Sequence, residues 1–437
     1  MDVVVVGGGL AGLGAALALC DAGHRVTVFE ASNRLGGRVL TYRWRGLVAE
    51  LGGEWIDDRH GEIVALCERF GMQLQADESR QCSIFRGTAI LDTMPEDDWA
   101  LGMAAAGLSE GAQEAIRRLL ATIAAGAAAL TSPNAPADAV ATDLDRHSVA
   151  SWLAEAGAPA EAAEWLAVGV RSDFGVGPEE ISLLQLALSR EEAPPRASSR
   201  IIGGNDRLPE AMAGALRGEV RLGTAVEAIR ATGQGVEVLV GAQRLVADAA
   251  VVAIAAGAAG AIRYEPPLPE AQMAALAALG YGRITKRLLP CVARPWAGER
   301  ASWWFTDLPS QVLYEPSWGQ AGQGALLTAY TAGTTYPEEG LALADLDAVF
   351  PGARAAWAGQ SVAKCWGDDA YSGGAYAAFG PGYLTEHGAA LGRAHGRIAF
   401  AGEHLSLRNP GYMEGAVRSG QDAARYLLGR SGGTGEA

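Results

Sequence analysis

Residue types that build disulfides and metal sites are scarce in this sequence. Its 437 residues include 5 cysteines and 6 histidines. The cysteines are odd in number, widely spaced and free of any CxxC pair. They lie at Cys20, Cys67, Cys82, Cys291 and Cys365. We therefore expect reduced, mostly buried thiols and no metal site.

Positive charge and long hydrophobic runs are also lacking. The formal net charge is −15 and the isoelectric point is near 4.9, which disfavours binding to nucleic acid or to an anionic membrane. The longest apolar stretch, about 246–262, is interrupted by Asp248 and predicts a strand and a turn rather than a membrane span. The N-terminal residues show no basic segment followed by a cleavage site. We expect a soluble, cytoplasmic protein without nucleic-acid or membrane partners.

The chain is long and rich in glycine. A single hydrophobic core stops growing at roughly 250–300 residues, so a chain of this length predicts two domains. The sequence holds 58 glycines, and several of them cluster where the backbone could approach a ligand closely.

The first thirty residues predict a unit that binds a dinucleotide. An apolar strand, 3–6, leads through glycines into a small-residue helix, and a second strand ends at Glu30. Gly7 allows a tight turn, Gly9 leaves room for a pyrophosphate, and Gly12 lets the helix pack closely on the strand. The helix N-terminus would face the phosphates with its N–H groups and its positive dipole end.

The residues from Glu30 onward narrow the choice of cofactor. Glu30 lies 18 residues after Gly12, where a carboxylate accepts hydrogen bonds from ribose hydroxyls and repels a 2′-phosphate. This favours FAD or NAD over NADP. Arg34, Gly37 and Arg38 follow and suit a second approach to the pyrophosphate and ribityl chain of FAD. With this segment the chain resembles the flavin-containing amine oxidase family.

The resemblance implies cofactor contacts for two further segments. Gly52, Gly53, Glu54 and Trp55 form a stretch that could pass against a flat ring system or form a hairpin turn, and the resemblance favours flavin contact. In the family, a later segment supplies backbone contacts to the adenine. In this chain that contact would fall near Val226.

The densest resemblance, to the monoamine oxidase family, lies between residues 364 and 428. A strand there ends in an acid, and a Pro-Gly-Tyr sequence opens the last helix. The resemblance implies a carboxylate beside the cofactor and a helix whose positive end points at the flavin. The expected cofactor-binding residues of this segment are Trp366, Gly402, Glu403 and Met413.

The resemblance also implies three catalytic residues. Tyr376 and Tyr412 would face each other in front of the flavin and guide the amine between their rings. Lys286 matches the lysine that holds a water at the reactive nitrogen of the flavin. Animal monoamine oxidases attach the flavin through a cysteine before the first tyrosine, whereas this chain has Ala375 there. We therefore expect FAD to be bound non-covalently.

The expected fold class is α/β, with a Rossmann-like FAD-binding domain and a discontinuous α+β substrate domain built of a mixed sheet and helices. An Ala-rich segment, about 92–188 and broken at Pro133, Pro136 and Pro159, predicts several helices. Strands are predicted from about 219 to 254, one of them starting at 225. The expected FAD-binding domain comprises 1–75, 200–285 and 385–430, the substrate-binding domain 76–199 and 286–384, and a flexible tail 431–437.

The resemblance implies FAD-dependent oxidation of a small-molecule amine. FAD takes a hydride from the carbon that bears the amine, the imine is hydrolysed to an aldehyde or ketone, and oxygen reoxidises the flavin to give hydrogen peroxide. The sequence does not identify the amine, the electron acceptor or the oligomeric state, for which a homodimer is one candidate.

Other functions stay open. An L-amino acid oxidase needs an arginine for the substrate carboxylate, and 54–56 offers none, although Arg59, Arg171 or Arg283 could reach the site. A desaturase or biosynthetic tailoring oxidase of the same fold is a further alternative. A flavin-binding protein without turnover is the alternative that is not an enzyme.

Overall fold

A five-stranded parallel sheet forms around the first strand of the chain. Its central strands are apolar and largely buried, as expected where both faces are covered. The helices Leu10–Asp21 and Met413–Ser431 pack together on one face. In sheet order the strands are Gly218–Arg221, Arg25–Phe29, Asp2–Val6, Ala249–Val252 and Ile398–Phe400. The computed structural model describes residues 1–77, 81–87, 89–95, 103–104, 106–131, 137–189, 197–298, 302–333, 336–407 and 409–431.

A four-stranded sheet packs against the opposite face. Side chains alternate between the two faces of a strand, so Val4 and Val6 point towards this second sheet and meet Ile229 and Val238 in a shared core. The helix Glu270–Ala278 closes the same core. In sheet order the strands are Gln243–Ala247, Val236–Val240, Ala228–Ala231 and Arg263–Glu265.

A seven-stranded mixed sheet forms the second large layer. The helix Glu339–Val349 covers one of its faces. The register places Lys286 directly opposite Tyr330 on one neighbouring strand and Lys364 on the other, so these side chains share a face. In sheet order the strands are Val362–Cys365, Ile284–Cys291, Ala325–Ala332, Val312–Tyr314, Trp303–Thr306, Gln81–Arg86 and Ala89–Pro95.

Helices fill the described part of the segment 110–189, as the Ala-rich pattern predicted, but the predicted start at about 92 is wrong, because the strand Ala89–Pro95 extends the seven-stranded sheet there. They bury Ile116, Leu119 and Leu183 in a core of their own. The predicted break at Pro159 is confirmed, because this residue caps the start of a helix, whereas Pro133 and Pro136 lie outside the described residues. The helices are Glu110–Thr131, Ala137–Asp145, Val149–Glu155, Ala160–Phe174 and Leu183–Ser189.

Smaller elements connect these layers. The short strands are Thr41–Trp44 with Leu47–Glu50, Ile56–Asp57 with Ser198–Ile201 and Leu74–Ala76, and Gly280–Tyr281 with Ala377–Ala378. The other α-helices are Gly61–Arg69, Arg207–Gly214, Ala256–Ala261 and Tyr383–Leu391, and the 3-10 helices are Ala353–Ala356 and Glu403–Leu405.

The α/β class with a Rossmann-like unit is confirmed, and one strand boundary is wrong. The strand expected from 225 begins at Ala228, because residues 224–226 run along a cavity before the chain pairs. The expected tail lies outside the described residues from 432 onward. Among the described helices, none combines the length and the apolar character that crossing a membrane requires.

Candidate active site

A cavity of about 640 Å³ lies along the carboxyl edge of the parallel sheet. Residues one or two positions past the ends of four strands line it, namely Gly7, Glu30, Ala253 and Gly402. Open parallel sheets bind their ligands at this edge, and ligand pockets usually measure about 300–1,000 Å³. The fold therefore offers a binding site where the N-terminal motif predicted one.

Most residues predicted for the site line this cavity. Three do not: Gly12, Glu54 and Trp55. Gly12 serves packing, because a Cβ atom there would lie 2.0 Å from the carbonyl oxygen of Gly7. The lining residues among those predicted are Gly7, Gly9, Glu30, Arg34, Gly37, Arg38, Gly52, Gly53, Val226, Lys286, Trp366, Tyr376, Gly402, Glu403, Tyr412 and Met413.

We call the part of the cavity lined by Gly7, Gly9, Glu30, Arg34 and Val226 the glycine region. Its shape comes mainly from the backbone at the start of the first helix. The Glu30 carboxylate accepts hydrogen bonds from the N–H groups of residues 8 and 32, at 2.7 and 2.8 Å. A carboxylate offers about four acceptor positions, so it retains capacity for ribose hydroxyls.

The two arginines that line the cavity are already engaged by the protein. Arg34 donates to backbone carbonyls, including that of Val39 at 2.9 Å. Arg38 donates to the carbonyl of Ala375 at 2.8 Å and to Glu403 at 2.6 Å.

Burial alone would lower the pKa of Arg38, but Glu403, together with Tyr281 and Asp369, outweighs burial and the net pKa is raised. Burial lowers the pKa of Arg34, but a guanidinium is too strong a base to lose its proton in a protein. Both guanidiniums therefore stay charged and fix loops around the cavity.

We call the part of the cavity lined by Lys286, Trp366, Tyr376 and Tyr412 the tyrosine region. Trp366 is 3% exposed, and its indole N–H donates to the carbonyl of Leu51 at 2.8 Å. The side chains of this region come from distant parts of the sequence. The seven-stranded sheet and the start of the last helix bring them together.

The two tyrosines are held in different ways. The Tyr330 hydroxyl donates to the carbonyl of Ser172 at 2.7 Å and lies 3.2 Å from the Tyr376 hydroxyl. A hydroxyl carries one hydrogen, so Tyr376 is the donor to Tyr330. Tyr412 is 43% exposed, and the buried ring of His60 contacts it edge-on at a centroid distance of 5.3 Å.

Lys286 lies at the centre of a buried charge cluster. Its ammonium donates to Glu54 at 2.7 Å and to the carbonyls of Gly52 and Glu50 at 3.0 and 3.3 Å. Burial alone would lower the pKa of Lys286, but Glu54, together with Tyr314 and Tyr376, outweighs burial and the net pKa is raised. Lys286 is therefore a permanently charged donor and not a proton acceptor near neutral pH.

Glu54 connects this lysine to two further side chains. Its carboxylate accepts from the Tyr314 hydroxyl at 2.6 Å and from Arg200 at 3.2 Å. The Arg200 guanidinium in turn covers the ring of Trp55, 4.6 Å from its centroid. Glu54 and Trp55 thus lie behind the cavity wall, where they hold the charged groups in place.

A comparison with known protein families identifies the family of this chain. A family model described as flavin containing amine oxidoreductase matches residues 10–428. The chain belongs to this family. Membership establishes an enzyme that uses a flavin cofactor and acts on amines.

Individual relatives span the chain almost completely. An L-amino-acid oxidase of Siganus canaliculatus is 31% identical over 97% of this chain and 85% of its own length. The solved structure of wild-type putrescine oxidase bound to putrescine is 25% identical, with a TM-score of 0.84 over 98% of this chain and 99% of that one. Cyclohexylamine oxidase from Brevibacterium oxydans IH-35A is 26% identical, with a TM-score of 0.85 over 99% of each chain.

The sequence did not single out three residues that support the site of this amine oxidoreductase. Tyr314 and Tyr330 look like members of an ordinary aromatic cluster on a sheet, and Arg200 looks like a strand residue. The alternation of side chains along the strands could have indicated Tyr330, because Tyr330 lies opposite Lys286 and its side chain shares the same face of the sheet. The strand register that creates these contacts is a long-range property that a single sequence does not contain.

Proposed function

We propose that this enzyme binds FAD without a covalent bond in the cavity and oxidises a small amine held between Tyr376 and Tyr412. One observation carries the proposal: the glycine region and the tyrosine region line the same cavity. A cofactor that extends through both would bring its adenosine half to the glycine region and its ring system to the tyrosines.

The residues of the cavity fit FAD. Gly9 has an ordinary negative φ, and a Cβ atom there would find nothing closer than the Cα of Gly37, at 3.9 Å. This bare backbone leaves room for a pyrophosphate at the start of a helix. Glu30 and Val226 line the part that a ribose and an adenine would need. These features favour a dinucleotide over FMN.

A non-covalent complex agrees with the side chains near the tyrosines. Ala375 lines the cavity beside Tyr376, and it has no atom that could bond to a flavin. All five cysteines lie in the described part of the chain, and none of them lines the cavity.

The side chains of the tyrosine region suit an amine that arrives uncharged. When bound, FAD would supply the two-electron acceptor. Tyr376 and Tyr412 would bound a flat slot whose electron-rich faces attract a nitrogen. Lys286 is held protonated by Glu54, so it cannot remove a proton from a substrate ammonium. The protein therefore orients the amine and excludes water rather than acting as a base.

L-amino acids are the second candidate substrate, because the relative from Siganus canaliculatus is named an L-amino-acid oxidase. Such a substrate needs an arginine for its carboxylate. Arg34 and Arg38 line the cavity but already bind protein carbonyls and Glu403, while Arg59, Arg171 and Arg283 do not line it. The geometry thus favours simple amines.

We also propose the domain division expected from the sequence. Strands of 1–75, 200–285 and 385–430 build the parallel sheet, which supports an FAD-binding domain. Strands of 76–199 and 286–384 build most of the seven-stranded sheet, which supports a substrate-binding domain. Oxygen as the electron acceptor, a homodimer and a cytoplasmic location stay predictions.

The direct test is anaerobic mixing of the purified protein with benzylamine, cyclohexylamine, putrescine and a set of L-amino acids. The oxidised flavin band at roughly 450 nm should bleach with amines and persist with amino acids. Acid precipitation should release FAD into the supernatant, because no covalent bond holds it. Bleaching by amino acids alone would move the assignment to L-amino acid oxidation, and a protein that cannot be loaded with FAD would refute the proposal.

A further inference from the structure

A buried carboxylate joins the two loops that carry the tyrosines of the active site. Glu403 is 4% exposed. One of its oxygens accepts from the backbone N–H of Gly411 at 2.8 Å, and the other accepts from the N–H of Ala377 at 3.2 Å. Gly411 precedes Tyr412 and Ala377 follows Tyr376. The same side chain therefore holds the backbone next to both rings.

Arg38 strengthens this connection on one side. Its guanidinium binds the Glu403 oxygen that also accepts from Ala377, and it donates to the carbonyl of Ala375. The backbone on both sides of Tyr376 is thus bonded to one ion pair. Charge-assisted hydrogen bonds of this kind are shorter and stronger than neutral ones.

The two loops also touch each other where Glu403 binds. A Cβ atom on Gly411 would lie 3.4 Å from the Cβ of Tyr376, and the φ of Gly411 is +83°. Because the backbone of one loop approaches the tyrosine of the other so closely, a shift of Gly411 changes the distance between the Tyr376 and Tyr412 rings. The two hydrogen bonds that Glu403 accepts, one from each loop, oppose such a shift.

We propose that Glu403, expected from the sequence to bind the cofactor, is instead a positioning residue that sets the spacing of the Tyr376 and Tyr412 rings. This inference rests on the proposed function, in which an amine lies between the two rings. Glu403 acts on the rate of amine oxidation through the loops, because it fixes the width of the slot.

The test compares Glu403→Gln with wild-type holoenzyme and with Asp145→Asn. The glutamine keeps the size of Glu403 but loses one acceptor oxygen, so it cannot hold both N–H groups. Asp145 is a matched control: it is buried and accepts from Thr385 and Ser182, away from the cavity. The readout is the limiting rate of anaerobic flavin reduction by the amine that bleaches wild-type fastest among benzylamine, cyclohexylamine and putrescine.

Glu403→Gln should lower this rate on the order of tenfold, as misplacement of a substrate by a fraction of an ångström does. The flavin content should stay at the wild-type value. Because Glu403→Gln removes a charge that lines the cavity, the midpoint potential is compared in Glu403→Asp, which keeps that charge, and it should match wild-type there. Asp145→Asn should lose thermal stability and keep the rate within about twofold. A shifted potential in Glu403→Asp with an unchanged affinity for the amine would show that Glu403 acts on the flavin, and would overturn the proposal.

A double-mutant cycle with Tyr412→Leu makes the test specific. If Glu403 acts by spacing the rings, Glu403→Gln should cost no more than about twofold once one ring is gone. The same tenfold loss in both backgrounds would overturn the proposal. If Tyr412→Leu itself leaves the rate unchanged, the proposed role of the tyrosines in amine oxidation is wrong. This outcome is distinguishable from a failure of the Glu403 proposal, in which Tyr412→Leu slows the rate but the effect of Glu403→Gln is the same in both backgrounds.

Glu403→Asp covers the case in which the glutamine variant does not take up flavin. Aspartate keeps the charge for Arg38 but is too short to reach both loops, so it should load flavin and still show the slower reduction. If neither variant holds flavin while Asp145→Asn does, Glu403 is a cofactor ligand and the proposal is wrong.

Discussion

The glycine region and the tyrosine region of the cavity are built by different means. In the glycine region, the backbone turn at Gly7 and Gly9 forms part of the wall, and its shape depends on residues that lack side chains. In the tyrosine region, side chains from separate segments between Lys286 and Tyr412 form the wall, and buried ion pairs such as Lys286 with Glu54 hold them. The glycine region therefore depends on local chain geometry, and the tyrosine region depends on long-range electrostatics.

The largest effect should come from removing the buried lysine. Lys286→Met leaves the Glu54 carboxylate buried with only part of its positive partners, and we expect a loss of about 3 kcal/mol in the free energy of unfolding. Thermal and urea unfolding of the flavin-free protein measure this loss.

Lys364→Met is the matched control for that substitution. Lys364 lies opposite Lys286 on the neighbouring strand, but its side chain is 24% exposed and its partner Asp369 accepts other hydrogen bonds as well. We expect a smaller loss, of about 1–2 kcal/mol, because the pair is only partly buried and Asp369 keeps its hydrogen bonds from Ser372. Equal losses for both lysines would contradict the claim that buried charge holds the tyrosine region.

The glycine region should respond in binding rather than in folding. Gly9→Val should weaken FAD binding about 100-fold, roughly 2.7 kcal/mol, because the new side chain would occupy the space of the pyrophosphate. The melting temperature of the flavin-free protein should change little, since a Cβ atom on Gly9 meets no protein atom closer than 3.9 Å. Titration with FAD followed by fluorescence quenching measures the binding.

Gly12→Val gives the contrast within the same motif. Its Cβ would lie 2.0 Å from the Gly7 carbonyl oxygen, so this variant should lose thermal stability even without FAD. A Gly9→Val protein that melts as early as Gly12→Val would show that Gly9 serves packing instead.

The same contrast explains how far the sequence could predict the molecule. Gly7, Gly9 and Glu30 were predictable because strand, turn, helix and acid follow one another within thirty residues, and each has a local physical reason. Lys286, Tyr376 and Tyr412 were placed by family resemblance and not by any local pattern. Glu54 was expected at the cofactor, yet it pairs with Lys286 and Arg200 behind the cavity wall. Such pairings depend on strand register and on the packing of distant segments.

A smaller effect is the pH dependence of the free energy of unfolding that Glu50 contributes. Burial raises the pKa of Glu50 to about 7, from an ordinary value of 4.5. The folded state then binds this proton more tightly than the unfolded state, so the group's contribution to stability is full below pH 4.5 and is lost as the pH rises through 7. The unfolding free energy of wild-type minus that of Glu50→Gln should fall by about 2 kcal/mol between pH 5 and pH 7.

Taking the difference between the two proteins removes the contributions of other titrating groups. His404 is one such group, since burial lowers its pKa to about 4 and its effect runs in the opposite direction between pH 4 and 6.5. A difference that is flat or rises with pH would contradict the buried environment of Glu50.

The smallest effect should come from removing the Tyr330 hydroxyl, which accepts a hydrogen bond from Tyr376. Tyr330→Phe removes the acceptor of the Tyr376 hydroxyl and should slow flavin reduction by amine about fivefold, roughly 1 kcal/mol, without loss of FAD. In a Tyr376→Phe background the same substitution should have no further effect on the rate. Additive losses would show that Tyr330 acts independently of Tyr376.

The most direct test of the whole account is the rate of anaerobic flavin reduction in Tyr376→Leu and Tyr412→Leu variants loaded with FAD. Both variants should bind FAD as tightly as wild-type, because the glycine region is intact. Reduction by the preferred amine should slow on the order of tenfold for each ring removed, because the slot that orients the amine is lost. Reduction at the wild-type rate would contradict the proposal that the two rings orient the amine, and loss of FAD with either ring would contradict the proposal that the glycine region anchors the cofactor.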